Sequence, residues 1–510
     1  MSRPRPGRAR ARRLAAHCAR SAAAAAPLLA TLAHADWIAQ DLQADPAAPR
    51  SATGTAIAMF QPSATAGTSG TAAVTMWAGA PLATGGRRDA GLVHAWRFQA
   101  NPGMQWGYAG QLASGNPQSG AAFGAAVAWG QTTGTDVGFL VVGSPRARRN
   151  PNSAEYAEQC FGYAEAFPIT NVTAGPVVAG TPVPLLHPSP AQNDLYGAAV
   201  ATALVDGVPY ALVSAPYDDL TVNGTLLRDA GTVQCFRRDA ASSFPHVATL
   251  SAPTPGANAR FGDAICAAGG RIYVSEGFNV PRVAVFRFEG GVPVFESHIG
   301  YVGESTAYQE GFATAIACDG RFLAVGGPGP ERSPPGVGRV WLFDAAPPHA
   351  LRATIESPFA DECAGFGSAV ALERGTLVVG TAEGADALLA GMAAVYSVDA
   401  TTAAVTPLFT EADAGESGFG CVVATSGLHV AVGAPSRGAG VEGGVRAVTS
   451  RPARRTPDLN GDGIVSGADL GLLVGMFRIA ASNSPGDLNY DGQVNGLDLG
   501  LLLAAWGTAG

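Results

Sequence analysis

The sequence predicts a mainly β fold, a seven-bladed β-propeller of four-stranded blades, followed by a small all-α pair of loop–helix units. Three observations support this prediction. A short phrase with glycine next to an aromatic residue recurs seven times, in full or degraded form, between residue 36 and about residue 450. The segments around it alternate apolar and polar residues with a period of two, which is typical of β-strands. A twelve-residue acidic pattern then occurs twice, and apolar residues at helical spacing follow each copy.

The composition agrees with a repeat architecture. The chain has 510 residues, of which 67 are glycine and 36 proline, and 14% are charged. This length exceeds what one hydrophobic core usually supports, so several domains or a repeat array are expected. Abundant glycine with low charge suits many tight turns between short buried strands, whereas a disordered chain would have few aliphatic residues and a high net charge.

Residues 1–35 have the features of an export signal. An arginine-rich start is followed by the apolar run Ser21–Leu32, and Ala33-His34-Ala35 fits the small-x-small rule for cleavage, so we expect a cut between Ala35 and Asp36. The alternative is an N-terminal helix of the mature domain. The apolar run is too short to span a bilayer, and no later stretch reaches the roughly 18 apolar residues of a transmembrane segment. We therefore expect a secreted or cell-surface protein without a transmembrane segment.

The charged residues exclude some functions. All 32 basic residues are arginine, and seven lie in the first 35 residues, so cleavage changes the formal net charge from −8 to −15. An acidic mature chain argues against nucleic acid or an anionic membrane as the main partner. Because the chain has no lysine, a catalytic Schiff-base lysine is excluded.

The cysteines leave disulfide formation open. Six cysteines remain after cleavage, and an even number in an exported chain permits disulfides, with 15 possible full pairings. Buried free thiols are an equal alternative. Their spacing does not match a zinc site. These six residues are Cys160, Cys235, Cys266, Cys318, Cys363 and Cys421.

Each copy of the repeated phrase predicts two strands. It starts with the glycine-containing pair, continues as an apolar strand and, after a polar turn, as a second strand ending near Gly-Ala-Pro or a variant. The aromatic residues of these pairs are 51 to 73 positions apart between the second copy and the last, which suits blades with variable outer loops. They are Gly54-Thr55, Phe123-Gly124, Tyr196-Gly197, Phe261-Gly262, Gly311-Phe312, Phe366-Gly367 and Phe419-Gly420.

Two further strands complete each unit. Third strands follow a glycine, as in Gly231–Phe236 and Gly338–Phe343, and fourth strands such as His246–Leu250 precede the next copy. Four strands per unit is the composition of a propeller blade. The seventh copy lacks a fourth strand, and residues 36–43 lack a partner. We therefore expect residues 36–43 to be the outer strand of the last blade, which removes an open sheet edge.

The seven phrases together resemble FG-GAP repeats, the blades of integrin-alpha-type β-propellers, over residues 36–449. The glycine after the aromatic residue is interpreted as allowing the inner strand to approach the central channel. The family often carries a calcium loop between the first two strands of a blade. Here those turns hold only isolated acids, at Asp136, Asp206 and Asp319, so we assign no metal to the propeller.

Two twelve-residue segments, starting at Asp458 and Asp487, match the calcium-loop template: acids or amides at positions 1, 3 and 5, glycine at 6 and an acid at 12. Side-chain oxygens, one backbone carbonyl at position 7 and a water-mediated contact at position 9 would complete each shell, so we predict two calcium ions. The ligands of the first are Asp458, Asn460, Asp462, Ile464, Ser466 and Asp469; those of the second are Asp487, Asn489, Asp491, Gln493, Asn495 and Asp498.

Apolar residues at helical spacing follow each loop, namely Leu470, Leu473, Val474 and Phe477, then Leu499, Leu502, Leu503 and Trp506. Tandem loop–helix units with aspartate at position 12 resemble a type I dockerin over 458–510. The resemblance implies a calcium-folded module that binds a cohesin-like or cell-envelope protein through positions next to the last ligand. Those positions are Gly467, Ala468, Gly496 and Leu497. Residues 450–457, with proline near both ends, are predicted to be a linker.

These predictions define an exported, non-catalytic modular binding protein. Its propeller would bind a protein or a glycan, and its C-terminal module would attach it through calcium. A competing hypothesis is an enzyme acting on polysaccharide, a glycoside hydrolase or lyase with a propeller active site, although the chain has no HExxH or GxSxG motif and we assign no catalytic residue. A third is a structural surface-layer component.

Overall fold

The computed structural model describes residues 37–43, 51–60, 74–84, 87–99, 105–132, 137–148, 160–170, 177–178, 181–277, 281–301, 311–329, 338–359, 365–381, 391–413, 418–436, 443–450, 457–460, 462–477, 486, 488 and 494–507. The expected cleavage site, Ala35 and Asp36, lies outside them. Within them the chain forms seven antiparallel sheets of four strands, one of which gains a short fifth strand. These sheets are the blades of a β-propeller.

The strands follow one another blade by blade. The first strand, β1, is Trp37–Leu42. Blade 1 contains β2 (Ile57–Phe60), β3 (Thr75–Ala80), β4 (Leu92–Gln99) and β5 (Gln105–Leu112). Blade 2 contains β6 (Ala126–Gln131), β7 (Val137–Ser144), β8 (Tyr163–Thr170), β9 (Val177–Val178) and β10 (Val183–Leu185). Blade 3 contains β11 (Val200–Val205), β12 (Val208–Ala215), β15 (Thr232–Arg237) and β16 (His246–Leu250), with a hairpin of β13 (Leu220–Val222) and β14 (Thr225–Leu227) inserted.

The same order continues in the second half of the chain. Blade 4 contains β17 (Ile265–Ala268), β18 (Arg271–Glu276), β19 (Arg282–Glu289) and β20 (Val292–Gly300). Blade 5 contains β21 (Ala315–Cys318), β22 (Phe322–Gly327), β23 (Arg339–Asp344) and β24 (Leu351–Glu356). Blade 6 contains β25 (Phe366–Glu373), β26 (Thr376–Thr381), β27 (Met392–Val398) and β28 (Val405–Ala412). Blade 7 contains β29 (Val423–Thr425), β30 (His429–Gly433) and β31 (Val445–Ser450), and two helices follow, α1 (Gly467–Gly475) and α2 (Gly496–Ala504).

The blades form a closed ring. Their first strands contact one another in sequence from β2 through β29, and β29 contacts β2 again. The first strands therefore surround the central axis, and the fourth strands lie outside. This arrangement confirms the prediction of a seven-bladed propeller of four-stranded blades.

Strand β1 supplies the fourth strand of blade 7. It pairs antiparallel with β31, from Trp37 opposite Ser450 to Leu42 opposite Val445. Ser450, predicted to begin the linker, is the last residue of β31. Residues 451–456 of the predicted linker lie outside the described part of the chain. The first and last segments of the propeller thus share one sheet.

Close contacts of glycine explain the repeated phrase. Gly124 has a φ of +89°, and a Cβ atom built on Gly79, in the second strand of blade 1, would lie 1.8 Å from the carbonyl oxygen of Gly124 in blade 2. Neither residue can therefore carry a side chain at this seam. The same contact joins Gly143 with Gly197, Gly326 with Gly367, Gly380 with Gly420, and Gly433 with Gly54.

The glycine beside the aromatic residue therefore has a different role from the one we expected. It allows contact between neighbouring blades, because it meets the second strand of the preceding blade rather than the central channel. The fifth copy also aligns differently. Its pair is Phe312-Ala313, with Ala313 at a φ of +67°, and not Gly311-Phe312. Two junctions between blades therefore lack the pair of facing glycines. At the junction of blades 4 and 5, Ala313 takes the place of one glycine. At the junction of blades 3 and 4, Gly262 faces Ser214.

The hydrophobic core is divided among the interfaces between blades. Each of the seven neighbouring pairs of blades in the described residues shares one cluster of buried apolar side chains. Trp77 and Phe123 lie in the cluster between blades 1 and 2, and Trp341 lies between blades 4 and 5. Because both faces of each inner sheet are covered, second strands such as Thr75–Ala80 are buried at every residue.

Two buried histidines lie near the junction of blades 7 and 1. The Nδ1 atom of His429 is 3.0 Å from the Thr449 hydroxyl, which also accepts a hydrogen bond from the Trp106 indole at 3.2 Å. The Nδ1 atom of His94 is 3.1 Å from the Tyr108 hydroxyl. Burial lowers the pKa of each histidine to about 4. Both are therefore neutral in the folded protein at neutral pH.

We expect these histidines to make the propeller sensitive to acid. Their folded-state pKa lies below the unfolded value of 6.5, so the stability that the neutral histidines contribute is fully present above pH 6.5. This contribution is lost as the pH drops toward 4, and the loss in the free energy of unfolding is up to about 3 kcal/mol for each histidine. Thermal unfolding between pH 7 and pH 4.5 should show this loss, and His94→Gln with His429→Asn should reduce it. Asp194 acts in the opposite direction, because burial raises its pKa to about 6. An unchanged pH profile in the double variant would contradict the prediction.

Candidate functional site

The first C-terminal loop has the backbone geometry of a tight acidic turn. The Asp458 carboxylate accepts hydrogen bonds from the backbone N–H groups of Asp462 at 3.2 Å and Gly463 at 2.7 Å. The Asn460 side-chain oxygen accepts from Asp462 at 2.9 Å. Gly463 has a φ of +91°, a backbone conformation that side chains other than glycine's rarely adopt, so it permits the reversal at position 6. Positions 1, 3 and 5 are therefore held on one short turn.

Asp469 joins the start of this loop to helix α1. Its carboxylate is fully buried and accepts from the N–H groups of Leu459 at 2.7 Å, Asn460 at 3.1 Å and Ser466 at 2.8 Å. Ser466 in turn caps α1 by accepting from the Ala468 N–H group at 3.2 Å. Burial raises the pKa of Asp469, but these hydrogen bonds outweigh it and hold the pKa below its ordinary value. Position 12 is thus an ionised carboxylate inside the loop.

The second unit repeats this arrangement where it is described. The Asp498 carboxylate is also fully buried and accepts from Leu488 at 2.7 Å and Asn495 at 2.8 Å. Asn495 caps α2 through the Leu497 N–H group at 2.7 Å. The remaining predicted ligands, Asp487, Asn489, Asp491 and Gln493, lie outside the described residues. The two position-12 acids therefore have equivalent environments.

The donor set of the first loop fits calcium in its chemistry. Carboxylate, amide and carbonyl oxygens are the ligands that Ca²⁺ prefers, and Asp458, Asp462 and Asp469 provide three carboxylates. In the described residues, however, no three acidic, histidine or cysteine side chains converge closely enough to hold a metal ion. The oxygens of Asp458 and Asp469 point instead to backbone N–H groups. Calcium binding accordingly remains a prediction.

The two helices bury one narrow side and expose the rest. Leu473 and Leu502 are fully buried against Val465, Leu488 and Val494. Val474 and Leu503, which share the apolar helical spacing, are 56% and 51% exposed. The predicted partner-binding residues are accessible, and Leu497 is 66% exposed. These are Gly467, Ala468, Gly496 and Leu497.

A second candidate site lies at the mouth of the central channel. A cavity of about 230 Å³ is bounded by the ends of inner strands and turns from blades 1, 2, 6 and 7, including Phe60, Trp129, Glu373 and Ser426. Trp129 stacks on Trp77 at 4.8 Å between ring centres. Aromatic and polar groups therefore meet near the propeller axis, where a small ligand could be held.

Two acids from neighbouring blades influence each other here. Asp319 lies in the turn after β21, and Glu373 ends β25. Burial raises the pKa of Glu373, the adjacent Arg374 guanidinium lowers it, and the Asp319 charge raises it further. Asp319 itself accepts hydrogen bonds from the N–H groups of Arg321 and Phe322, both at 2.9 Å. Asp319 therefore stabilises its own turn, as isolated turn acids commonly do.

A larger cavity, about 570 Å³, lies between the turns of blades 2 and 3 and includes Thr132, Gly207 and Arg237. Sequence reasoning missed both cavities. The residues of the smaller cavity come from four blades, and those of the larger cavity come mainly from separate segments of blade 3. Neither set shares a motif, so only the folded chain brings its members together. Of the isolated turn acids in the sequence, Asp206 is next to Gly207 in the larger cavity. Asp136 lies outside the described residues.

The fold and the sites define a β-propeller with a C-terminal pair of loop–helix units. No protein-family model and no curated protein sequence matches the chain. Among solved structures, it is similar to a candidate 6-phosphogluconolactonase from Bacteroides uniformis, with 12% identity, a TM-score of 0.43, and coverage of 68% of this chain and 85% of the other. It is also similar to the WD40 repeats of RRP9, with 11% identity, a TM-score of 0.43, and coverage of 82% and 98%. Within the described residues, no helix is long and apolar enough to cross a membrane.

Proposed function

We propose that this chain is an exported binding protein whose propeller binds a ligand and whose C-terminal units form a calcium-dependent, dockerin-like attachment module. The propeller would belong to the FG-GAP type, with cleavage between Ala35 and Asp36. The observation that supports the module most directly is the pair of fully buried position-12 carboxylates, Asp469 and Asp498. Each connects the start of its loop to the cap of the following helix.

The exposed helix surface supports attachment to a protein. The exposed positions of α1 and α2 are glycine, alanine, leucine and valine, and no basic residue lies in either last turn. Soluble proteins rarely leave such apolar surface without a partner. An apolar helix face suits a groove on a cohesin-like or cell-envelope protein better than it suits a nucleic acid or an anionic lipid.

Calcium binding provides the first test. The full chain should bind two calcium ions in calorimetric titration, with dissociation constants in the range of about 10⁻⁷ to 10⁻⁴ M. Replacing both Asp469 and Asp498 by asparagine should weaken binding at least about tenfold. Asp399→Asn is a matched control, because Asp399 accepts similar turn hydrogen bonds from Thr401 at 2.9 Å and Thr402 at 2.6 Å in the propeller. A parent chain that binds no calcium would refute the module.

The same preparation tests attachment. The full chain should capture an envelope protein with calcium and not with chelator, and Leu497→Asp should abolish capture. Leu226→Asp, at a 52% exposed position in the β13–β14 hairpin, should leave it intact. Calcium binding without calcium-dependent capture would leave the units as a calcium-stabilised domain and refute the attachment role.

One observation favours the competing enzyme hypothesis. Asp319 and Glu373 come from different blades, and the raised pKa of Glu373 is the direction that a general acid needs. Arg374 lies beside Glu373, however, with 3.7 Å between its Nε atom and Oε1, and the two side chains are 41% and 47% exposed. Polysaccharide cleavage that Glu373→Gln abolishes would favour the enzyme over the binding protein.

A further inference from the structure

Two thiols face each other across the junction of blades 4 and 5. Cys266 lies in β17 and Cys318 in β21, the innermost strands of these blades. β17 and β21 contact each other along the channel wall. Both cysteines pack against the same apolar cluster, which includes Tyr273 and Trp341. The two side chains therefore belong to one interface.

Independent features place the two thiols close together. The Cys266 side chain is a direct neighbour of the Cys318 thiol and raises its pKa. Just beyond the cysteines, the turns of the two blades also touch, since a Cβ atom built on Gly269 would lie 3.2 Å from the Gly320 carbonyl oxygen. The strands therefore approach each other closely at the end that carries the cysteines, and a disulfide requires this placement.

The other described cysteines differ. Cys235 is fully buried in the core between blades 3 and 4. Burial raises the pKa of its thiol to about 12, with no second thiol contributing. Cys160 lies in the loop before β8. Cys266 and Cys318 are both present as free thiols.

We propose that Cys266 and Cys318 form a disulfide that covalently joins blades 4 and 5 beside the central channel. The proposal rests on the export step of the proposed function, since disulfides persist in oxidising compartments. The bond would close a loop of about 50 residues and restrict the unfolded chain. It would fix one blade interface in a ring otherwise held by non-covalent contacts.

The oxidant is a disulfide compound of the glutathione type. The thiolate of one cysteine attacks a sulfur of the oxidant and releases one thiol. The second thiolate then attacks the resulting mixed disulfide and releases the other thiol. Two protein thiols are thereby oxidised, one external disulfide is reduced to two thiols, and the two protons of the protein thiols pass to the released thiolates.

The surroundings determine when this reaction is fast. Burial, the contact with Cys266, and the charges of Asp319 and Glu373 raise the pKa of Cys318. The phenol of Tyr273, whose own pKa is raised by burial, lies near both thiols. Because the thiolate is the reacting form, exchange in the folded protein should be slow at neutral pH and faster near pH 9. Both thiols are half-buried in the folded protein, so we expect the bond to form mainly during folding, while the thiols are more accessible.

The test compares refolding with and without glutathione disulfide. After oxidative refolding, alkylation should find two fewer free thiols, and non-reducing peptide mapping should identify a Cys266–Cys318 link. Reductant should lower Tm by about 5 °C. Cys266→Ala and Cys318→Ser should each abolish the link and the reductant effect, whereas Cys235→Ala should retain both. These measurements use purified chain and do not depend on the calcium module or on its partner.

The proposal is overturned if both thiols remain titratable after oxidative refolding, or if the link connects either cysteine to a different residue. Should Cys266→Ala fail to fold, Cys318→Ser supplies the same comparison. Failure of calcium binding would not affect this result, so the two proposals fail separately.

Discussion

Gly79→Ala should destabilise the propeller by roughly 3 to 5 kcal/mol, because a Cβ atom would lie 1.8 Å from the Gly124 carbonyl oxygen. Backbone, and not a flexible side chain, occupies that position, so relief requires two blades to move apart. Separating them would open the core that contains Trp77 and Phe123. Chemical denaturation should show a lower midpoint, and a stronger effect is expected for valine.

Gly256→Ala is the matched control for this substitution. Nothing lies within 4 Å of its added Cβ atom, and its φ is not in the left-handed region, so we expect a change within about 0.5 kcal/mol or a slight gain. Equal midpoints for Gly79→Ala and Gly256→Ala would show that the blades are not in tight contact at this seam.

Deleting residues 37–42 should have the second large effect, a loss of at least about 4 kcal/mol together with self-association. The deletion leaves the β31 edge unpaired. It also removes the contacts of Trp37 with Phe409 in blade 6 and the ion pair of Asp41 with Arg446 at 2.8 Å. Light scattering with thermal unfolding should detect oligomers and a lower Tm.

The deleted strand also connects blade 7 to blade 1. The Gln40 side chain donates to the Trp106 carbonyl oxygen at 3.0 Å and accepts from the Trp106 N–H group at 2.8 Å. A synthetic peptide of residues 36–43 added to the deleted chain should therefore raise Tm and reduce self-association. A deleted chain that stays monomeric with the parent's Tm would refute the role of β1.

The sequence was informative where one local pattern determined the result. Alternation and the glycine phrase predicted the blades, and the absence of a fourth strand after Ala447 directed attention to residues 36–43. The position-12 acids were identified from spacing alone. The blades and the position-12 acids depend on patterns of neighbouring residues, whereas the role of residues 36–43 followed from the need to close the ring.

The wrong or missing predictions concern features that are determined by contacts between segments distant in the sequence. Nothing in the sequence near Gly124 reveals that its partner is Gly79 in another blade, so its role was attributed to the channel. In the fifth copy, Ala313 takes the position of glycine, and the nearby Gly311 suggested a shifted alignment. The channel mouth is similarly formed by Trp129 and Glu373, from blades 2 and 6, and neither belongs to a motif. The helical spacing of Val474 and Leu503 likewise did not tell how much of each short helix is covered, and both residues are exposed.

The pairing of β1 with β31 also constrains the order of folding. Asp41 and Arg446 are 405 positions apart, so the last blade cannot be completed until nearly the whole propeller has been made. Contacts between residues this distant form late, because the entropy of closing so long a loop opposes them. Until then β31 has an open edge, which can pair with the first strand of another molecule. High concentrations of newly made chain should therefore favour exchange of β1 between molecules over closure within one.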